Sequence, residues 1–233
     1  MRHVLAALFL VGSCVTARAQ HITPTADEAA LQNEVAILKR GIVQRKADET
    51  DSTFLKRLFP ASFYGELIQY AWRPSVHGPQ LFFSHGERDE YHSLGEGTEL
   101  FVLDPIQPDK YAVHVLLLEP IGDITNLAAF FFVDVDQDGQ KELLALVYAE
   151  VQEAVMLSVG PGNKKERAVG RFSHWETQVF RYTGLNSVTG RPRYQPDRTP
   201  RPYLDGLRSA AEVRRALAQH HARTKPRSSR AVK

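Results

Sequence analysis

The chain has 233 residues, of which 43% are hydrophobic, and its 29 Lys and Arg residues nearly balance its 27 Asp and Glu residues. This size allows the chain to bury a core, and it suggests one domain with appendages. The single cysteine excludes an internal disulfide, and every apolar run is too short for the roughly 20 residues of a membrane span.

Residues 1–19 have the features of a secretory signal peptide. Arg2 supplies the positive start, residues 4–11 form the apolar run, and Ala17-Arg18-Ala19 is a small-x-small cleavage site. We therefore expect an exported protein, either periplasmic or extracellular.

A second interpretation of the same segment involves the cysteine. The sequence Val11-Gly12-Ser13-Cys14 resembles a bacterial lipobox, which would make the protein a lipoprotein anchored through Cys14. If cleavage instead follows Ala19, the mature chain has no cysteine and must be stabilised without a disulfide.

Helical patterns lie near both ends of the chain. Apolar spacing predicts a helix within residues 29–46 and a second within 52–59, which ends at Pro60. A third predicted helix covers 62–72, and a Ser-x-x-Glu capping pattern opens a last one over 209–223.

Between these helices the sequence is typical of β-strands. Six short segments are rich in β-branched and aromatic residues and are separated by Gly, Pro, Asp and Asn: 80–83, 98–104, 111–119, 127–134, 142–151 and 174–183. We expect an α+β fold with a mainly antiparallel β-sheet, N-terminal helices and a C-terminal helix. The apolar runs 127–133 and 143–149 predict strands that are buried on both faces.

The predicted organisation places a helical segment at 20–50 after the signal peptide, an α+β domain at 51–223 and a tail at 224–233. Residues 213–233 contain seven Lys or Arg residues and no acid, so we expect the tail to be disordered. We expect no nucleic-acid partner, because an exported protein rarely meets nucleic acid. Residues 152–172 are predicted to be a long loop that offers a binding surface.

The loop between the two most apolar runs carries the strongest chemical signal. It contains five candidate metal ligands, Asp134, Asp136, Asp138, Gln140 and Glu142, with Gly139 between them. In a turn of this length the carboxylates can point to one centre, and the glycine permits the chain to reverse. Calcium prefers six to eight oxygen ligands at about 2.3–2.6 Å from such a flexible loop. The alternative is an exposed acidic loop of Asx-turns that holds no metal.

Two calcium-binding families share part of this pattern over residues 128–149. The loop begins like an EF-hand, but Ala145 stands where the EF-hand has its last glutamate, and strands replace the flanking helices. It more closely resembles the calcium-binding β-hairpin of FG-GAP repeats from integrin-type propellers.

The FG-GAP resemblance implies a ligand set and has clear limits. It implies calcium ligands from the side chains of Asp134, Asp136, Asp138 and Glu142, and from the backbone oxygen of Gln140. Glu142 stands where the repeat usually has aspartate, and the Phe-Gly and Gly-Ala-Pro elements are absent. The loop occurs once, so the fold is not a propeller.

Other chemical sites are less well supported. His85 and His92, with Glu87 and Asp89 between them, invite a zinc interpretation, but their spacing matches no zinc motif. No nucleophile elbow and no phosphate-binding loop is present.

Two functional hypotheses remain after these exclusions. We favour a non-enzymatic exported calcium-binding protein that recognises an envelope protein or cell-wall component, as small exported inhibitors do. The alternative is an exported hydrolase that acts on an envelope polymer, and a cleft with pKa-shifted groups away from the loop would favour it.

Overall fold

The structure, a computed structural model, describes residues 25–63, 66–84, 98–122, 125–159 and 164–224. Several predictions lie outside these residues: the signal peptide, Cys14, the histidine pair His85 and His92, and the tail from residue 225 onward. No helix among the described residues is both long and apolar enough to cross a bilayer.

The described residues form three α-helices, one 3₁₀-helix and nine strands. In chain order they are α1 (Ala26–Arg40), β1 (Ile42–Gln44), α2 (Asp51–Leu58), β2 (Ile68–Tyr70), β3 (Gln80–Ser84), β4 (Glu99–Gln107), β5 (Lys110–Leu117), β6 (Thr125–Val133), β7 (Glu142–Val159), β8 (Lys164–Leu185), β9 (Pro192–Pro196), the 3₁₀-helix (Pro202–Leu204) and α3 (Ala210–Thr224).

The strands form two antiparallel sheets. Sheet 1 has the order β1-β5-β4-β3-β2, and sheet 2 has the order β6-β7-β8-β9. All the observed pairings are antiparallel. The predicted α+β class, with helices at the N-terminal and C-terminal ends, is confirmed.

Helix α1 is shorter than the apolar spacing predicted. Thr25 and Glu28 form a capping box at its start. Gly41 ends it in the left-handed conformation, with φ of 65°, and donates its N–H to the Ile37 carbonyl at 2.8 Å. The next residues leave the helix and pair with β5. The predicted helix was therefore wrong beyond Arg40.

Residues 62–72 were predicted as a helix and instead contain the short strand β2. Ile68 pairs with Phe82 and Tyr70 pairs with Gln80, so this segment completes the edge of sheet 1. Tertiary pairing with β3 outweighs the weak local helical preference.

Residues 152–172 are not the predicted long loop. Most of them belong to β7 and β8, which pair continuously from Leu143 opposite Phe180 to Val159 opposite Lys164. Only residues 160–163 between the two strands lie outside the described part. The sequence there lacks long apolar runs, so the apolar pattern predicted β7 and β8 to be shorter than they are.

Three hydrophobic clusters hold the layers together. One lies between sheet 1 and the helices α1 and α2, one between the two sheets, and one between sheet 2 and α3. The first part of β7, residues 142–147, is buried on both faces, as predicted: Leu143 faces the cluster between the sheets, and Leu144 faces the cluster under α3. The same prediction was wrong for β6, which is an edge strand with mostly half-buried residues.

A buried ion pair on the sheet 1 side is linked to sheet 2 by a tyrosine. The Arg73 Nε donates to Asp104 Oδ2 at 2.6 Å, and Asp104 is fully buried on β4. Tyr194, on β9 of the other sheet, donates its hydroxyl to the same carboxylate. Burial and the neighbouring Asp104 charge raise the pKa of Tyr194 well above its usual range, so its hydroxyl stays protonated.

Candidate metal centre

The loop between β6 and β7 brings its three aspartates together. One carboxylate oxygen each from Asp134, Asp136 and Asp138 lies within 4.8 Å of the others. Asp134 is half-buried and the other two are exposed. The alternate positions predicted from sequence therefore point to one focus.

The backbone of the loop is shaped by two residues with positive φ. Gln137 has φ of 63° and Gly139 has φ of 88°. This conformation turns backbone N–H groups inward: Asp138 N and Gly139 N donate to the two Asp134 oxygens at 3.1 and 3.0 Å. Gln140 N donates to Asp138 at 2.7 Å. These bonds fix the carboxylates and satisfy donors that a tight turn would otherwise leave free.

The two other predicted ligands lie in different surroundings. Glu142 is only 3% exposed, and its Oε2 accepts the Val135 N–H at 2.7 Å across the mouth of the loop. The Gln140 side chain is exposed to solvent. The cluster of converging oxygens consists of the three aspartates, and Glu142 braces the loop from its inner side.

Arg181 on β8 is the residue of this site that the sequence did not predict. Its Nη1 lies 2.6 Å from Asp136 Oδ2 and 3.5 Å from Glu142 Oε1. Its Nε donates to Asp197 at 2.6 Å, and Asp197 also accepts from Arg201 at 2.5 Å. Arg181 lies 45 residues from Asp136 in the chain, and no local pattern marks it. Only the acidic excess of the loop indicated that a cation was needed.

Burial and ion pairing act on the acids in opposite directions. Burial raises the pKa of Glu142 above its ordinary value, and the Val135 N–H and Arg181 only partly offset this. Burial also opposes ionisation of Asp136, but the hydrogen bond and charge of Arg181, together with backbone N–H groups, outweigh this and lower the pKa. Asp136 is therefore a carboxylate at neutral pH.

Two further contacts hold the loop against the rest of the fold. Trp72, which precedes β3, donates its Nε1–H to the Lys141 carbonyl at 2.6 Å. His221 on α3 lies with its Nε2 2.7 Å from the Val135 carbonyl oxygen. The loop is thus connected to sheet 1 on one side and to the C-terminal helix on the other.

A cleft of about 790 Å³ opens beside the loop. Its walls combine aromatic, basic and acidic side chains, among them Tyr70, Trp72, Arg73, Lys141 and Tyr182 and, from the loop, Asp138, Gln140 and Glu142. Lys141 Nζ lies 2.8 Å from the Tyr70 hydroxyl. Such walls suit a ligand that offers both apolar faces and polar or anionic groups.

The donor set fits a hard cation. Two like charges about 4 Å apart repel by roughly 1 kcal/mol in water and about 4 kcal/mol near a protein surface. Arg181 offers one positive charge, which Asp136, Glu142 and Asp197 share. Asp134 and Asp138 are compensated by backbone dipoles, so a divalent ion would relieve the remaining repulsion.

A second cleft, of about 460 Å³, lies between residues 176–180 of β8 and the segment 196–202 that begins at the end of β9. Its lining includes Glu176, whose pKa is raised by burial and by the charges of Asp205 and Glu119. Thr177 Oγ1 is buried there without a hydrogen-bond partner among the described residues. This cleft has pKa-shifted groups away from the loop.

Comparison with known proteins adds no identification: no protein family, characterised protein or solved structure matches this chain. Functional inference therefore depends on the geometry described above.

Proposed function

We propose that this chain is an exported, non-enzymatic calcium-binding protein whose ion is structural, and which recognises an envelope protein or a cell-wall component. The convergence of Asp134, Asp136 and Asp138 within 4.8 Å carries this proposal. Asp134, Asp136 and Asp138 would hold the ion, and the Gln140 backbone oxygen and Glu142 would complete the set that the FG-GAP resemblance implies.

The position of the loop supports a structural role for the ion. The loop contacts sheet 1 through Trp72 and α3 through His221, so fixing it stabilises the junction of three layers. Extracellular calcium sites typically bind at about 10⁻⁴–10⁻³ M. At millimolar calcium and a dissociation constant of about 10⁻⁴ M, binding adds about 1.4 kcal/mol to stability.

Thermal unfolding with calcium and with a chelator tests the calcium site. We expect calcium to raise the melting temperature by a few degrees, and we expect Asp136→Asn to abolish that difference. Asp109→Asn is the matched control, because Asp109 is also an exposed turn aspartate but lies outside the loop. A melting temperature that ignores calcium in the unmodified protein would refute the site.

The proposed recognition surface is the cleft beside the loop. Calcium would fix the flank formed by Gln140 and Lys141, while Tyr70 and Tyr182 supply aromatic surface. The ligand class that fits these walls is a polymer or protein segment with apolar faces and negative charge.

Sedimentation with purified cell-wall polymer and with isolated envelope proteins tests recognition. We expect calcium-dependent binding that Lys141→Ala weakens at least several-fold. Lys110→Ala, at the start of β5 and outside the lining of this cleft, is the control and should bind normally. Binding to neither fraction would refute recognition while leaving the calcium site intact.

A hydrolase is the second candidate, because the cleft of Glu176 supplies a specific observation in its favour. A carboxyl group with a raised pKa suits general acid catalysis. Release of soluble fragments from envelope polymer, lost in Glu176→Gln and retained in the exposed control Glu153→Gln, would establish it. No release by the unmodified protein would leave the binding function alone.

A further inference from the structure

The outer half of the β7–β8 hairpin extends beyond the rest of sheet 2. Strand β6 pairs with β7 only as far as Ala149, and β9 pairs with β8 only from Phe180 onward. Residues 150–159 and 164–173, which we call the arm, pair only with each other within the described chain. Ten residues per strand make the arm about 33 Å long. A two-stranded ribbon is marginally stable in water without a further strand or surface.

The arm exposes apolar side chains on both of its faces. Met156 is 61% exposed and Val169 is 69% exposed on one face, whereas Leu157 and Phe172 are 50% and 41% exposed on the other. The Phe172 ring lies over Gly170 and reaches toward Val155, so the arm covers a small part of its own surface. The rest of its apolar surface is exposed, which is typical of an interaction surface.

The two edges of the arm differ in charge. The β8 edge carries the exposed basic residues Lys165, Arg167 and Arg171. Charged side chains on an edge strand discourage pairing with another strand. The β7 edge has no charge over residues 154–159, where the sequence is AVMLSV. An uncharged segment of high β-propensity at an open edge is a template for an added strand.

Charge also divides the arm along its length. The base carries Glu150 and Glu153 on β7 and Arg171 on β8, whereas the tip carries Lys164, Lys165 and Arg167 with Glu166, so the base is net acidic and the tip net basic. Glu153 also lies 2.9 Å from His174 Nε2 of its own arm. When two such arms align antiparallel through β7, the acidic base of one lies opposite the tip of the other, whose basic residues stand on the next strand, β8. A two-fold axis perpendicular to the ribbon produces this alignment and closes the assembly at two copies.

We propose that the β7 edge of the arm binds the β7 edge of a second copy of this chain, forming a four-stranded antiparallel ribbon, β8-β7-β7-β8, across a two-fold axis. The uncharged edge supplies the backbone pairing, and the opposite charges at base and tip set the direction and the register. An edge-to-edge contact buries less area than a standard interface, so the dimer forms at about micromolar concentration and exchanges readily.

Sedimentation velocity over a range of protein concentrations tests the dimer. We expect a monomer–dimer equilibrium that higher salt shifts toward monomer. Met156→Lys places a charge on the proposed edge and should weaken association at least tenfold. Val169→Lys is the matched control, since Val169 lies on the same face at similar exposure but on the β8 edge, and it should leave the dimer intact.

Charge exchange gives a stricter test of the antiparallel alignment. One variant carries Glu150→Lys and Glu153→Lys, and the other carries Lys165→Glu and Arg167→Glu. Each variant alone should remain monomeric, because base and tip then have the same sign. An equal mixture of the two should form dimers, because each arm meets one of opposite charge.

Several outcomes would overturn the proposal. These are a monomeric unmodified protein at all concentrations, a dimer that Met156→Lys leaves unchanged, or a mixture of the exchange variants that stays monomeric. Binding of the monomer to anionic vesicles through the arm would identify a lipid surface as the occupant instead. Circular dichroism of each variant confirms that the fold is retained, so loss of the dimer is not unfolding.

Discussion

The inner and outer halves of β7 belong to one continuous strand, yet they have opposite surroundings. The inner half, residues 142–147, is buried on both faces between the clusters of the two sheets and α3. The outer half, residues 150–159, has one paired neighbour and exposed apolar side chains. Both halves of β7 therefore pair with β8 in the same way. The half that other layers cover contributes to stability, and the exposed half is free to bind.

The largest expected effect comes from the buried pair of Arg73 and Asp104, whose carboxylate also accepts a hydrogen bond from Tyr194 of sheet 2. Asp104→Ala leaves the buried Arg73 guanidinium without its carboxylate and should cost about 3–5 kcal/mol of unfolding free energy. Urea denaturation measures this. The double variant Arg73→Met with Asp104→Leu should lose much less, because no buried charge remains. An Asp104→Ala variant of unchanged stability would contradict a stabilising role for the pair of Arg73 and Asp104.

A pair of leucines compares the two halves directly. Leu144→Ala, in the fully buried inner half, should cost about 2–5 kcal/mol. Leu157→Ala, in the exposed arm, should change stability by about 0.5 kcal/mol or less. Equal losses in urea denaturation would show that the arm is covered in the monomer as well.

The dependence of stability on acid pH tests the contribution of Asp197, which pairs with Arg181 beside the loop. Burial opposes ionisation of Asp197, but hydrogen bonds from Thr199, Arg201 and Arg181 prevail and lower its pKa. Its stabilisation is therefore complete above the unfolded value of 3.8 and is lost as pH falls through the folded pKa.

Asp197→Asn should cost about 2 kcal/mol at pH 7, because charged hydrogen bonds are lost. It should also flatten the decline in stability below about pH 4. Chemical denaturation at a series of pH values measures both effects. A variant with the slope of the unmodified protein would exclude Asp197 as the group responsible.

The smallest effect concerns the contact between α3 and the loop. His221→Ala removes the bond to the Val135 carbonyl and should cost about 1 kcal/mol, or roughly 2–4 °C in melting temperature. Calorimetric titration should also show weaker calcium binding, which a purely local packing defect would not produce. Gln219→Ala, exposed on the same helix, is the control and should change neither quantity.

The parts of the fold that could be predicted from sequence are those with local causes. Apolar runs separated by turn residues located the longer strands, and the alternate aspartates located the loop. The short strands β1, β2 and β9 span three to five residues each, too few for a periodic pattern to emerge. Their pairing partners decide their conformation.

The remaining features depend on distant residues. Arg181 reaches the loop only after β7 and β8 pair, so its role has no signature in the surrounding sequence. The arm was predicted as a loop because its strands mix charged and apolar residues. Continued pairing with each other keeps them extended, although no third layer from the described residues covers them.

The protein has two tryptophans, one beside the loop and one near the base of the arm. Trp72 donates to the loop backbone, whereas Trp175 stacks on Tyr148 near the base of the arm, with ring centroids 5.0 Å apart. Intrinsic fluorescence of Trp175→Phe would thus follow the loop, and that of Trp72→Phe would follow the arm. The fluorescence of the two tryptophans therefore distinguishes the start of β7 at the loop from the base of the arm.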